Sequence, residues 1–332
     1  MQSFSINLCV LDLEAQILES VIKNSLVFST INLLMLQFDN SIIKQYHLNV
    51  TDTKKNGLNK YSLLVLVLFL FFSGWFAGTY LPGPLHGKST VLLSEVYGVV
   101  ALIGGIYGLS VAKNWGYFKS YFGRAIILIS CGLLLQEFGQ LAYSYLNSIK
   151  HVELPYPSIP DIGFFGSIPM YILAARYLIK GLGIASIVKK NHVKLLVGVL
   201  IPEIILAVSY WFLLKGYSTE GKSSLAIFFD YGYPIGQAIY VSLALIILLS
   251  VSRLLGGLMR IPTLLLLLAY LIQYLSDFNF IFQTIHETWG PGMYGDYLYF
   301  TSYCLLFYSL IRLNSALNFS PSHKKDRDQG AD

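Results

Sequence analysis

The sequence predicts an all-α, polytopic membrane protein with about eight transmembrane helices, and two observations support this fold class. First, 55% of the 332 residues are hydrophobic and only 12% are charged, whereas a soluble globular domain carries about 25% charged residues. Second, apolar runs of about 20 residues, the length that crosses a bilayer, recur along the chain. These runs are continuous rather than alternating, which is typical of helices and not of barrel strands. The composition excludes a soluble α/β enzyme, a nucleic-acid binder and a disordered scaffold.

The predicted spans divide the chain into three parts. They lie at about 62–81, 91–112, 124–145, 162–180, 194–214, 228–251, 262–283 and 296–313. Residues 1–60 carry apolar side chains at roughly helical spacing, among them Leu11, Leu18 and Ile22, and are predicted to be a cytoplasmic extension, amphipathic or disordered. An upstream extension from a misassigned start codon is an alternative for this segment. Residues 61–314 form the predicted eight-helix transmembrane domain, and the charged residues 315–332 a disordered cytoplasmic tail.

Basic residues indicate how the spans are oriented. One set of loops carries Lys113, Lys119, Arg124, Arg176, Lys180, Lys189, Lys190, Lys194, Arg253, Arg260, Arg312, Lys324, Lys325 and Arg327. The loops on the opposite side hold only Lys88, Lys150, Lys215 and Lys222. Because Lys and Arg gather in short cytoplasmic loops, the pattern predicts a multi-pass protein of the cell membrane with both termini cytoplasmic.

Four acidic residues near the starts of alternate spans indicate an internal repeat. They are separated by 66, 69 and 66 residues, and they are Glu95, Asp161, Asp230 and Asp296. The segment 132–143 also aligns without gaps on 269–280, which places Gln136 over Gln273, Gly139 over Ser276 and Gln140 over Asp277. Self-similarity at a fixed period is a signature of repeated architecture. Each repeat holds two spans, so the prediction is four hairpins in parallel orientation, unlike the inverted repeats of many transporters.

Two interpretations remain open for these four acids. Each carboxylate is placed to cap a helix, accepting backbone N–H groups at its start. Alternatively, the four carboxylates form a ring around an external mouth, which would suit a cation or an amine. The loop from Pro155 to Asp161, with three prolines, includes Pro157 and Ser158. It is either a rigid connector or a loop that grips a ligand.

Polar residues inside the spans are the other candidates for a binding site. Glu137, Gln140 and Asp277 fall in the outer half of their spans, and Glu203 lies near the middle of the fifth. Since a charged residue at the centre of a membrane helix costs about 2.5–3.5 kcal/mol, such residues normally face the bundle interior or a water-filled cavity. They predict either a polar cavity open to the outside or a hydrogen-bonded packing network.

Enzymatic chemistry has little support in the sequence. GxxxxGK[ST], HExxH and GxSxG motifs do not occur, so nucleotide hydrolysis, zinc proteolysis and serine hydrolysis are not expected. The histidines show no HxxxH spacing, and Cys9, Cys131 and Cys304 form no CxxC pair. We therefore expect no metal site, no cofactor and no catalytic residue, and we interpret the cysteines as small hydrophobic residues.

Three short segments resemble a family of bacterial membrane modules. The segment PYPSIPDIGFFGSIPMYILA resembles the P-S-x-A-D-x-F-Y-L-x-x-Y-P segment of polytopic modules that precede GGDEF, EAL or histidine-kinase domains. Two further segments, FFDYGYPIGQAIYVSLALII and GLLLQEFGQLAY, are similar to that family's D-x-x-Y-P-x-x-D and G-D-x-x-W segments. The family positions that are matched are Pro157, Ser158, Asp161, Asp230, Tyr233 and Pro234. The departures are Pro160 in place of Ala, and Gln140 and Gln237 in place of Asp.

The resemblance implies a membrane sensory module, here without an output domain. The first functional hypothesis is therefore a stand-alone sensory or ligand-binding module that acts through a cytoplasmic partner. The module contacts the lipid bilayer, and no nucleic acid is expected as a partner. Its candidate ligand-binding residues are Glu95, Glu137, Gln140, Pro157, Ser158, Asp161, Asp230, Asp277 and Asp296. The alternative is a small-solute or cation/proton transporter that uses Glu203 and Asp277. A membrane enzyme acting on lipid is the third hypothesis.

Overall fold

The computed structural model describes residues 59–80, 87–151, 156–184, 192–215, 217–254, 259–286 and 288–318. These residues form α1 (Lys60–Tyr80), α2 (Lys88–Val96), α3 (Val99–Asn114), α4 (Tyr121–Ser144), α5 (Ile159–Gly181), α6 (His192–Ser209), α7 (Ser224–Leu254), α8 (Arg260–Ile285) and α9 (Tyr294–Asn318). Short π-helical turns extend α4 through Tyr145–Ile149 and α6 through Tyr210–Leu214. The predicted extension falls almost wholly outside the described residues, as does the tail beyond Asn318.

The all-α prediction is confirmed, because these residues contain no strand. Each of the eight predicted spans coincides with a helix, the second being divided into α2 and α3 by a break at Tyr97 and Gly98. Seven of the spans are long and apolar enough to cross a membrane. The eighth, α9, has 25 residues and is less apolar because tyrosines and serines occupy much of it.

Six helices pack side by side in a ring. In order, α3 contacts α4, α4 contacts α5, α5 contacts α7, α7 contacts α8, α8 contacts α9, and α9 closes the ring on α3. Three helices lie outside this ring: α1 packs on α9, α6 packs on α7, and the short α2 contacts α1 and α4. We call the end of the ring that holds Asp161, Asp230 and Asp296 the acidic end, and the end that holds Arg124 and Arg260 the basic end.

Helices α4 and α5 approach until their backbones touch. A Cβ atom on Gly163 would lie 2.5 Å from the backbone nitrogen of Gly139 and 2.5 Å from the carbonyl oxygen of Leu135. A Cβ atom on Gly139 would lie 2.9 Å from the carbonyl oxygen of Pro160. Small residues allow such close contact between membrane helices, where dispersion forces drive packing. The two glycines therefore fix the separation of α4 and α5.

The break between α2 and α3 makes room for a side chain of α4. Gly98 lies against the carboxyl group of Glu137, and a Cβ atom at this position would collide with that group. The neighbouring Tyr97 is buried and points its hydroxyl group at Gln140, also on α4. The sequence predicts one continuous span here, since the apolar run is unbroken. The break instead follows from the fit of Glu137 and Gln140 against the chain.

Candidate functional site

The ring encloses polar side chains toward its acidic end. On α7, Tyr233, Gln237 and Tyr240 have the i, i+4, i+7 spacing that places residues on one helix face. On α8, Gln273 and Asp277 are likewise four residues apart. Gln237 and Gln273 are each 1% exposed. We call this region the polar interior; its other members are Tyr97, Gln136, Glu137, Gln140, Ser167, Tyr171, Tyr270, Asp296, Tyr299 and Tyr303.

Gln136 links three helices across the polar interior. Its Nε2 donates to the hydroxyl oxygen of Ser167 on α5 at 2.7 Å. Its Oε1 accepts from the hydroxyl group of Tyr303 on α9 at 3.0 Å. Each bond of this kind contributes about 0.5–1.5 kcal/mol, and loss of one partner leaves a buried polar group unsatisfied.

Asp277 is held by tyrosines from both neighbouring helices. Its Oδ1 accepts from the Tyr299 hydroxyl group at 2.6 Å, and its Oδ2 accepts from the Tyr240 hydroxyl group at 3.4 Å. The side chain of Gln273 lies beside the same carboxyl group, but neither its amide nitrogen nor its amide oxygen reaches hydrogen-bond geometry with a neighbour. Asp277 therefore lies at the junction of α7, α8 and α9.

Three carboxyl groups lie in the surroundings of Tyr97 without forming a metal-binding cluster. The hydroxyl group of Tyr97 donates to Oε1 of Gln140 at 3.3 Å, and the ring lies within electrostatic range of Asp296, Glu137 and Asp277. Among the described residues, the hydrogen-bond partners of Asp277 and Asp296 are hydroxyl and backbone groups, and no basic side chain bonds to any of the three carboxyl groups. The polar interior therefore concentrates acidic groups without a cationic side chain to balance them.

Several buried polar atoms in this region have no hydrogen-bond partner among the described residues. Within the described part of the chain, hydrogen-bond partners are lacking for both amide atoms of Gln237 and of Gln273, for the hydroxyl groups of Tyr171 and Tyr270, and for Oε2 of Glu137. Leaving such a group unsatisfied costs about 1–3 kcal/mol, and buried polar groups in native proteins normally have partners. The unused donors and acceptors mark this region as a place where a polar ligand or an ion would bind.

The polar interior stops about halfway along the ring. One or two helical turns closer to the basic end, the core consists of fully buried apolar side chains, among them Ile129, Leu133, Ala174, Ala244, Ile247, Leu266, Phe307 and Leu310. The hydroxyl groups in this layer are satisfied within the protein; that of Ser130, for example, donates to the carbonyl oxygen of Ile126 at 2.8 Å. We call this region the apolar layer. It closes the polar interior on the side of the basic end.

A second polar group lies at the acidic end, where the proline-rich loop meets α7. Asp161 accepts from the backbone N–H of Ser158 at 2.7 Å and from the hydroxyl group of Tyr233 at 3.1 Å. Asp230 accepts from Nζ of Lys222 at 3.0 Å and from the Tyr217 hydroxyl group. Tyr156 also reaches Asp230, and burial, followed by the charge of Asp230, raises the pKa of this phenol above its usual value. The loop is thus tied to α7 through Asp161 and Asp230.

The structure gives different positions to the four acids of the predicted repeat. Asp161 and Asp296 are the third residues of α5 and α9, and each accepts a backbone N–H from just before its helix, Ser158 and Gly292 respectively. Asp230 instead lies seven residues into α7. Glu95 lies near the end of α2 and accepts from the hydroxyl group of Ser148. The capping interpretation therefore applies to two of the four.

Removal of the Tyr233 hydroxyl group should show how much the hydrogen bond between Tyr233 and Asp161 contributes to stability. We expect Tyr233→Phe to lower the free energy of unfolding by about 1 kcal/mol, since it deletes one hydrogen bond to a carboxyl group. Tyr231→Phe, on the exposed side of the same helix, is the matched control and should change stability by less than about 0.5 kcal/mol. Thermal unfolding of both variants in detergent micelles provides the measurement. Equal stability of the two variants would contradict the assigned contact.

Glu203 does not belong to either polar group. It is exposed on α6, which lies outside the ring, whereas Asp277 faces the interior. The two residues of the predicted transport pair are therefore not brought together. The nine ligand-binding candidates separate into the polar interior, with Glu137, Gln140, Asp277 and Asp296, and the acidic-end contacts of Glu95, Pro157, Ser158, Asp161 and Asp230.

The sequence did not identify the tyrosines of the polar interior as candidate site residues. Tyr97, Tyr299 and Tyr303 contact the acidic and amide groups directly, and the rings of Tyr171, Tyr240 and Tyr270 form a triangle with centroids 5.1–6.0 Å apart. The available signal was their spacing of three or four residues from intramembrane polar residues, as with Tyr240 after Gln237 and Tyr270 before Gln273. Tyrosines near span ends are so often interfacial anchors that this signal is weak.

No family model, curated protein or solved structure matches the chain. Fold and site together define it as a helical bundle with seven spans that are long and apolar enough to cross a membrane, and with a polar interior in one half of the ring. The described residues contain no group of three or more His, Cys, Asp or Glu side chains that could hold a metal ion.

Proposed function

We propose that this chain is a stand-alone sensory module of the cell membrane that binds a small cation from outside and signals through a cytoplasmic partner. The observation that carries the proposal is the one-sided polar interior. The carboxyl group of Asp277 has no basic partner and lies beside buried tyrosines and the unused amide of Gln273; these groups supply the negative charge and the polar contacts for a cation, and the apolar layer closes the region toward the basic end. A polar region that an apolar layer closes on one side suits a receptor better than a conduit.

The orientation rests on the distribution of charge. Arg124, Arg176, Arg260 and Arg312 lie at the basic end, which faces the cytoplasm under the positive-inside rule. Both termini are then cytoplasmic, and the acidic end with the polar interior faces outward. The short loops of the basic end are the surface on which a signalling partner would act.

The internal repeat is part of the proposal, and one pair of contacts supports it. Gly139 and Ser276 are aligned positions of the repeat, and so are Pro160 and Gly295, which precede the aligned acids. In the structure, Gly139 packs on the carbonyl oxygen of Pro160, and the hydroxyl group of Ser276 donates to the carbonyl oxygen of Gly295 at 2.8 Å. The hairpin of α4 and α5 and that of α8 and α9 therefore make equivalent contacts at equivalent positions.

Thermal unfolding of the purified protein at constant ionic strength tests cation binding. The probes are Na⁺, K⁺, Mg²⁺, Ca²⁺ and methylammonium, each exchanged against the bulky cation N-methyl-D-glucamine. A ligand that binds only the folded state at 100 times its Kd stabilises by about 2.7 kcal/mol, so at least one probe should raise the Tm by several degrees. A Tm that no probe changes would overturn the proposal.

Transport is the second candidate, because the three carboxyl groups near Tyr97 lie inside the ring without basic partners. A flux assay in proteoliposomes distinguishes the two functions. A sensor binds the probe without moving it across the membrane, whereas a transporter moves it and requires the apolar layer to open. Glu203→Gln should leave binding unchanged in either case, since Glu203 is exposed on α6 and lies outside the ring.

A further inference from the structure

Helix α6 leaves an unusual residue on the outer surface of the bundle. Only 12% of the apolar stretch from Leu196 to Leu214 is buried, because α6 packs on α7 alone along most of its length. Glu203 is exposed on this helix, near the middle of the stretch. Among the described residues, every other acidic or basic side chain in the central part of a span, namely Glu137 and Asp277, points into the ring.

A lipid-facing position is costly for this residue. A charged side chain at the centre of a membrane helix costs about 2.5–3.5 kcal/mol on insertion scales, and such residues normally find a polar partner. In the described part of the chain, nothing within hydrogen-bond distance of the Glu203 carboxyl group belongs to another helix. A partner for this group must come from outside the described helices.

The residues around Glu203 form a regular surface. Leu196, Leu200, Glu203 and Ala207 are spaced by four, three and four residues, the spacing of a heptad seam, and all four are exposed. We call this surface the α6 seam. The opposite face of α6 contacts the ring. A Cβ atom added at Gly198 would lie 3.5 Å from Cδ1 of Ile246 on α7, and the hydroxyl oxygen of Ser209 is 3.4 Å from that of Tyr274 on α8. Since none of the described helices packs over the seam, it can meet another helix.

We propose that the α6 seam binds the α6 seam of a second copy of this chain, forming a two-fold dimer in the membrane. In a two-fold contact each residue near the axis meets its own counterpart at the same depth. Two carboxyl groups that share a proton are donor and acceptor to each other, so the Glu203 pair is self-complementary. Since the described spans expose no amide or basic side chain at this depth, Glu203 of a second copy is the matching group that such a copy offers.

The dimer goes beyond cation binding, because it gives the polar interior of one copy a route by which it can affect a second copy. Helix α6 packs on α7, which carries Gln237 and the Tyr240 that holds Asp277. A change in the polar interior that shifts α7 is thereby transmitted to the dimer contact. The two proposals fail separately, because the dimer contact uses no residue of the polar interior.

Single-molecule photobleaching of the labelled protein in liposomes, over a series of protein-to-lipid ratios, tests the dimer. We expect dimers for the unaltered chain and for Glu203→Gln, because paired amides also donate and accept. We expect Glu203→Leu to shift the equilibrium toward the monomer by at least tenfold. As matched control, Leu70→Ala on the exposed face of α1 should leave the equilibrium unchanged.

Disulfide cross-linking identifies the surface involved. Ala207→Cys, in a background without the three natural cysteines, should form dimers on oxidation, whereas Leu63→Cys on exposed α1 should not. A monomeric unaltered chain at every density would overturn the proposal, and so would dimers that persist in Glu203→Leu. Cross-links from Ala207→Cys to residues 1–58 within one chain would also overturn it, because the seam would then be covered by the chain's own amino-terminal segment. Since Leu is apolar and α6 is exposed, Glu203→Leu should keep the Tm of the unaltered chain.

Discussion

Replacing Gly163 by alanine should destabilise the protein by about 3 kcal/mol, near the upper end of the range for overpacked positions. The added Cβ atom would lie 2.5 Å from two backbone atoms of α4, the nitrogen of Gly139 and the carbonyl oxygen of Leu135. A side chain can rotate away from such a clash, but the backbone of a helix cannot. The two helices must separate, and the contacts of Gln136 and Glu137 with neighbouring elements are then lost as well.

Gly166→Ala is the matched control, one helical turn away on α5. There the new Cβ atom would lie 3.6 Å from the flexible end of Leu135, which is ordinary packing distance. Because alanine also favours the helix over glycine by up to about 1 kcal/mol, this variant should be as stable as the unaltered chain or more so. Unfolding by SDS or by heat in micelles compares the two. Similar stability of Gly163→Ala and Gly166→Ala would show that α4 and α5 lie farther apart than the structure indicates.

Replacing Asp277 by asparagine should weaken binding of the stabilising cation by at least tenfold, equivalent to about 1.4 kcal/mol. Asparagine has the same shape, and its amide oxygen still accepts from the Tyr299 or the Tyr240 hydroxyl group, so the fold should persist. What is lost is the negative charge at the junction of α7, α8 and α9. The measurement is the concentration of cation that gives half of the maximal increase in Tm.

Glu220→Gln provides the control for this charge change, since Glu220 is exposed in the loop before α7. It should leave the half-maximal concentration unchanged. If Asp277→Asn binds the cation as tightly as the unaltered chain does, the carboxyl group does not contribute to the site. The proposed ligand class would then be wrong, even if the tyrosines and amides bind some neutral molecule.

The spans were the most predictable part of this molecule, because hydropathy reflects a length requirement that each helix satisfies alone. The clustering of Gln136, Gln140 and Asp277 in the interior also agrees with the cost of exposing polar groups to lipid. The position of Glu203 was not predictable from periodicity. A helix that is apolar on every side gives no signal for which face packs on a neighbour.

Contacts between distant residues account for the rest. The break at Gly98 depends on Glu137, which is far away in sequence, so no local sequence pattern predicts the break. Asp230 resembles the other acids of the repeat in sequence, but the helix begins earlier, at Ser224, and its carboxyl group binds Lys222 and Tyr217 instead of capping. Tyrosines contribute both apolar area and a hydroxyl group, and only the packed ring shows which of these properties is used.

The depth of Asp277 along α8 has a consequence for how the membrane voltage would act on the proposed cation site. Asp277 lies eight residues from the end of α8, or about 12 Å into a hydrocarbon core of about 30 Å. For a voltage that falls evenly across the hydrocarbon core, a cation that reaches Asp277 from the acidic end has entered part of the electric field. One elementary charge gains about 2.3 kcal/mol per 100 mV across the whole membrane, so about two fifths of the field contributes about 0.9 kcal/mol. Under the proposed function and orientation, a membrane that is negative inside would then strengthen cation binding about fivefold per 100 mV, and the chain would respond to cation concentration and membrane potential together.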